Sequence, residues 1–105
     1  MTPFRYTVSA RFAESHTAQA WIAWMRDEHL AAVIQTGALH GEVVRLDGDQ
    51  LHFEARYQFA GRADFDRYVR DHAPRLRAEG LRRFPGGEVV HYERTSGEVL
   101  LELQG

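Results

Sequence analysis

Cysteine and lysine are both missing from the 105 residues. Without cysteine there is no disulfide, no thiolate nucleophile and no cysteine-ligated metal. Without lysine there is no Schiff base and no lysine general base. All 13 cationic side chains are therefore arginines, a bias better ascribed to a GC-rich genome than to function. No run approaches the roughly 20 apolar residues that span a bilayer. The start, MTPFRYTVSA, has no basic segment followed by a long apolar one. Neither a membrane span nor a secretory leader is expected, and the cytoplasm is the expected compartment. Net charge is −2 with the signs interspersed, which argues against a nucleic-acid binder. No Gly-x-Ser-x-Gly elbow and no phosphate loop occurs. The six histidines, at 16, 29, 40, 52, 72 and 91, form no His-x-x-x-His pair, so no metal site is expected. No cofactor is signalled.

What is present is a strongly patterned chain of single-domain size, residues 1–105. Phe4, Tyr6, Val8, Ala10 and Phe12 alternate with polar residues and predict a half-buried strand. Ser15 or Thr17 is the expected N-cap of a helix from Ala18 to about Glu28, which continues after a bend near His29 to Ile34 and closes at Gly37. Ala38–Leu46 and Gln50–Phe59 read as a hairpin about Asp47-Gly48-Asp49. A three-residue loop would align Val43 with Phe53 and put His40 on the polar face; a four-residue loop would align Val44 with Phe53 and turn His40 inward. Asp64 is the expected N-cap of a helix from Phe65 to about His72, and Pro74 opens a further helical stretch to Phe84. Glu88–Arg94 is a strand, Ser96-Gly97 a kink, and Val99–Leu103 a last strand-like piece or an extension of the fourth strand. The order β-α-β-β-α-β predicts an α+β, ferredoxin-like sandwich: four antiparallel strands with two helices on one face.

Two stretches echo each other, WIAWMRDEHL (21–30) and FDRYVRDHAP (65–74). Each runs aromatic, two residues, aromatic, apolar, Arg, Asp, then His, with Glu28 extra in the first copy. They fall late in the helix of each βαβ half, which supports the topology. His29 follows Met25 by four and Ile22 by seven; His72 stands likewise to Tyr68 and Phe65, so each extends an apolar stripe. Two readings stay open. Each histidine closes a helix by bonding its last carbonyls, or each looks into a pocket between helix and sheet, where low dielectric tunes it for acid–base work. On the second reading His29 and His72 are the catalytic groups, Trp24 and Tyr68 the walls, and Glu28 or Arg75 the orienting charges. The basic segment with Arg75, Arg77, Arg82 and Arg83 reads first as a solvated helix face with internal pairing to Glu79.

The pattern Trp21-x-x-Trp24-Met25-x-x-Glu28-His29, Thr36-Gly37, and Tyr68 followed by His72-Ala73-Pro74-x-Leu76-Arg77-x-Glu79-x-Leu81-x-x-Phe84 resembles an uncharacterised bacterial family. That family is a domain of unknown function of the dimeric α+β-barrel superfamily. The resemblance runs from about Phe4 to Arg94, with one departure: Gly80 stands where the family commonly has histidine. It implies a homodimer with two sheets packed face to face. The superfamily includes cofactor-independent monooxygenases, isomerases, haem proteins and ligand-sensing domains, and fold does not choose among them. The expectation is a small, partly apolar organic ligand, bound or transformed by a monooxygenase- or isomerase-like enzyme. The alternative is a non-catalytic interaction or ligand-sensing dimer.

Overall fold

The alternating apolar residues of strand β1 (Phe4–Phe12) place it at the centre of the sheet. In this computed structural model, which describes residues 2–105, β1 pairs antiparallel with β3 (Leu51–Phe59) on one side and β4 (Val90–Glu98) on the other. Strand β2 (His40–Arg45) pairs with β3, giving the order β2-β3-β1-β4. This is the ferredoxin-like arrangement. One face of the sheet carries Phe4, Tyr6, Ala10 and Phe12 against Phe53, Ala55, Tyr57 and Phe59, all buried. Opposed aromatic and small side chains of this kind supply most of a small domain's apolar burial.

Helices cover that face. Helix α1 (Ser15–Trp24) runs into a π-helical turn (Met25–His29) and then α2 (Leu30–Gln35). The expected bend near His29 is this π turn, in which the Leu30 N–H donates to the Met25 carbonyl five residues back. Gly37 ends α2 with φ +130°, a conformation that favours glycine. On the other side of the hairpin, α3 (Arg62–Asp71) and α4 (Ala73–Arg83) are separated by His72, with φ −128°. Pro74, at the start of α4, has no N–H with which to continue the first helix and is well tolerated in the first turn of the second. Phe65, Tyr68, Ala73 and Leu76 point from these helices into the core, with Phe65 stacked on Phe4 at 4.8 Å.

Several local expectations are corrected. Helix α1 starts earlier, with Glu14 at the N-cap and no side-chain capping bond, so neither Ser15 nor Thr17 caps it. Gly61, not Asp64, precedes α3; Asp64 lies in its first turn and accepts a 2.7 Å bond from Arg67. The hairpin aligns Val43 with Ala55 and His40 with Gln58. His40 therefore stands on the polar face, but neither expected register is present: Arg45, not Val43 or Val44, lies opposite Phe53. The turn falls one residue later than Asp47-Gly48-Asp49, because Leu46 N–H already bonds the His52 carbonyl at 2.9 Å. Strand β4 runs straight through Ser96-Gly97 to Glu98, since both residues stay paired to β1. Beyond it Val99 donates to the Pro3 carbonyl at 2.9 Å, and residues 100–103 form no strand, leaving Leu100, Leu101 and Leu103 exposed. No helix among the described residues is long and apolar enough to cross a membrane.

Candidate functional site

Trp24 is the hinge of the site. Its indole is buried at the end of α1, with Phe84 tilted against it at 5.6 Å and Arg83 above it at 5.9 Å. The His29 ring lies on it, 4.4 Å between centroids and 25° between planes. The π turn makes that stack possible: it brings residue i+5 over residue i, so His29 overlies Trp24 rather than Met25. Gly80 of α4 supplies the remaining room. A Cβ there would lie 3.3 Å from the far edge of the indole, so any side chain would press on Trp24.

Between these helices and the sheet runs a cleft. Val8, Trp21, Trp24, Met25, Ala55 and Leu76 form its apolar wall, and Gly80 and Leu81 lie along α4. The polar groups are His29, Tyr57, Tyr68, Tyr92, Arg77 and Arg94. The space between its atoms, the open mouth included, is about 470 Å³. Among the described residues, no carboxylate lines the cleft.

Burial sets the protonation states. His29 is half-buried, and loss of solvent pulls its pKa down to about 4, against a smaller upward pull from Glu79. It is a neutral imidazole at pH 7. Glu79 itself is bound by Arg82 and by Arg83, the latter at 2.8 Å, so the pairing expected of this basic segment is present. Burial pushes the phenols of Tyr68 and Tyr92 up to about 12 and that of Tyr57 higher still. All three therefore present O–H groups. Tyr92 donates to the Phe84 carbonyl at 2.9 Å, tying the end of α4 to β4.

Of the residues singled out in the sequence, the cleft brings together His29, Trp24 and Tyr68. His72 sits half-buried at the break between α3 and α4, its backbone N–H bonded to the Tyr68 carbonyl at 2.9 Å, and does not line the cleft. Nor do Glu28, 3.8 Å from Arg83, and Arg75, which is exposed. Sequence reasoning passed over Arg77, Gly80, Tyr57, Tyr92 and Arg94 as site residues. A signal existed for three of them. Arg77 and Gly80 fall on the stripe Ala73, Leu76, Arg77, Gly80, Leu81, Phe84, and Arg94 continues the inward phase of Val90 and Tyr92. A charge in phase with core residues marks a cavity or a rim. Among the described residues, no group of three His, Cys, Asp or Glu side chains could hold a metal ion.

The pattern of this chain has known relatives. It belongs to the family described as a domain of unknown function, DUF4286. The family model matches residues 5–97. No curated protein matches the chain. Among solved structures it is similar to a dimeric ferredoxin-like protein from an uncultured marine organism, with TM-score 0.74 and 14% identity over 98% of this chain and 100% of that one. A monooxygenase of Streptomyces coelicolor, from the gene ActVA-Orf6 and in complex with nanaomycin D, also scores 0.74, with 11% identity over 99% and 93%. SnoaB, a cofactor-independent oxygenase of Streptomyces nogalater, scores 0.69 with 10% identity over the whole of both chains. At such identities the likeness is one of fold, and it agrees with the ferredoxin-like reading of the sequence.

Proposed function

We propose that this protein binds a small, partly apolar organic molecule in the helix–sheet cleft and transforms it, as a cofactor-independent monooxygenase- or isomerase-like enzyme. It would act as a cytoplasmic homodimer. One observation carries the reading: a neutral imidazole, stacked on an indole, forms the wall of an apolar cleft whose other polar groups are phenols and guanidiniums. The solved neighbours support it at the level of fold, two of them being a monooxygenase and a cofactor-independent oxygenase. The dimer is supported by the neighbour described as dimeric and by the exposed leucines at 100, 101 and 103.

Oxygenation and isomerisation without a cofactor can both begin by removing a proton from an acidic carbon or hydroxyl. His29 is the group to accept it. A base with a pKa of about 4 is weak in the empty cleft, but negative charge developing beside it raises that value during the step. Tyr68 and Arg77, which line the same cleft, would hold the resulting oxyanion. His72, Glu28 and Arg75 are given no contact with substrate, because they lie outside the lining.

The test uses a panel of small hydroxyarenes and NMR. A binder is expected to move the Trp24 indole N–H and the His29 ring signals while leaving those of His72 in place. Gly80→Leu, which puts a branched side chain against Trp24, should abolish the shifts. Incubating the binder in air then gives a product that has gained one oxygen atom and lost two hydrogens, the second atom of O2 leaving as water at the substrate's expense, or an isomer of unchanged mass, and His29→Ala should stop its formation. Binding without turnover would transfer the protein to the ligand-sensing class. If no compound shifts these signals, or if His29→Ala turns over normally, the proposal fails.

A further inference from the structure

Nine of the thirteen arginines, at 5, 11, 26, 56, 62, 67, 70, 82 and 83, have a carboxylate within 4.0 Å. Among the described residues, four have none. Arg45 and Arg75 are exposed and need no partner beyond water. The other two, Arg77 and Arg94, line the cleft.

Their placement is specific. Arg77 is half-buried on the core side of α4, with its guanidinium 6.0 Å from the Tyr6 ring centroid. One terminal nitrogen donates to the Tyr6 hydroxyl at 3.3 Å, and its Nε is buried with no partner among the described residues. A buried N–H of a charged group left without an acceptor is a costly feature that a fold normally satisfies. Arg94 lies opposite Val8 on β4, exposed, with its guanidinium 5.9 Å from the Tyr92 ring centroid. The two positive fields meet: both act on the Tyr68 phenol, each drawing its pKa down against the larger effect of burial. Glu79, the acid on α4, is engaged by Arg82 and Arg83. The cleft therefore holds two uncompensated cations, two phenols whose O–H is not already given to the backbone (Tyr57 and Tyr68), and no anion among its described lining. Its polar groups are an acceptor's complement, set in an apolar wall.

We infer that the ligand of this cleft is an organic anion: a ring-sized apolar acid whose carboxylate, or ionised enol or phenol, lies between Arg77 and Arg94. This deepens the proposed function and rests on its reading of the cleft as the ligand site. The ring would lie along Trp24, Val8, Ala55 and Leu76. The charged oxygen would accept from the Arg77 guanidinium, whose Nε–H has no acceptor among the described residues. Arg94, at the mouth, would draw the anion in and close over it.

Benzoate and benzamide make the test, since they share shape and differ in charge. Each is titrated into the full chain through the millimolar range, with the Trp24 indole, the Tyr68 ring and the His29 ring followed by NMR. Benzoate is expected to bind at least about 10-fold more tightly than benzamide, by the margin that a charge-assisted hydrogen bond holds over a neutral one. Arg94→Gln, an exposed change that the fold tolerates, should remove most of that margin and leave benzamide within about twofold of its original affinity. Arg77→Gln should remove it entirely; if that variant fails to fold for want of its bond to Tyr6, Arg94→Gln carries the result. Equal binding of the two compounds at the cleft overturns the anionic assignment and leaves the cleft reading intact. Benzoate shifts confined to the open face of the sheet also overturn it. Absence of binding by both compounds overturns the assignment, and the cleft reading fails as well if the hydroxyarene panel is silent.

Discussion

Acidifying the protein from pH 8 to pH 5 is expected to cost its fold about 2 kcal/mol through His29 alone. The perturbation is protonation of a ring held against Trp24 in a site where burial lowers its pKa from 6.5 to about 4. The folded value is the depressed one, so the unfolded chain binds the extra proton first. The stabilisation is whole above pH 6.5 and is lost as the pH falls toward 4. The loss levels off at about 3.5 kcal/mol, the full distance from 6.5 to about 4 at about 1.4 kcal/mol per pH unit. At pH 5 most of it is already gone. With a urea dependence of about 1–1.5 kcal/mol per molar for a domain of this size, the midpoint should fall by roughly 1.5 M. The assay is urea unfolding at pH 8, 6.5 and 5 for the native chain and for His29→Gln, which does not titrate. Carboxylates and the other histidines shift both proteins alike, so the difference between the two curves isolates His29. Glu79 pulls the other way, so Glu79→Gln should lower the His29 midpoint further. Two outcomes would sink this account: a ring titration with a midpoint of 6 or above, or a native-minus-variant difference that does not change with pH.

Deleting Glu28 should convert the π turn to ordinary helix and turn His29 away from Trp24 while the sheet and α4 stay in place. The expected reading is a His29 midpoint that returns toward 6.5, with amide NMR signals of β1 and β3 little changed; an unmoved midpoint would dissociate the stack from the turn. Phe59→Ala removes a fully buried ring that packs on Phe65 and Tyr68 at 5.4 Å each, and should cost about 3–5 kcal/mol in chemical denaturation. A loss under about 1 kcal/mol would mean that the core beneath α3 is not packed as described.

Architecture was legible because it rests on periodicity. The alternation of Phe4 to Phe12 and of Leu51 to Phe59 could only be satisfied by strands sharing one buried face, and the two are central neighbours. The face of His40 stayed open in the sequence, because it hangs on the residue at which the hairpin turns, and that is set by backbone bonds such as Leu46 to His52, which no side-chain pattern reports. Strand β4 shows the same limit. Ser96-Gly97 reads as a break from composition, yet pairing with β1 holds it extended, a tertiary effect that overrides local preference. The site was half legible. His29, Trp24 and Tyr68 stood out as polar or aromatic residues at helical spacing. Arg77 was grouped with Arg75, Arg82 and Arg83 as one basic face, although its phase with Leu76 and Gly80 sets it apart. Running charge and phase together would have separated it.

The two echoing segments part company over one residue. Both end in Arg-Asp and then histidine, and in both the Arg and Asp pair with each other on the surface, at 2.9 Å in the first and 2.8 Å in the second. The first copy carries the additional Glu28, and an extra residue inside a helix has to be absorbed as a π turn. Absorbing it rotates the remainder of the helix, so His29 is laid over Trp24 and into the cleft. The second copy has no extra residue, and Pro74 ends the helix instead. His72 then occupies a break in the backbone, outside the cleft. The same local sequence therefore yields a site group in one half and a helix junction in the other. The difference is not in the histidines but in the backbone register that delivers them, and a register change of one residue inside a helix is where a symmetric fold can place a single asymmetric pocket.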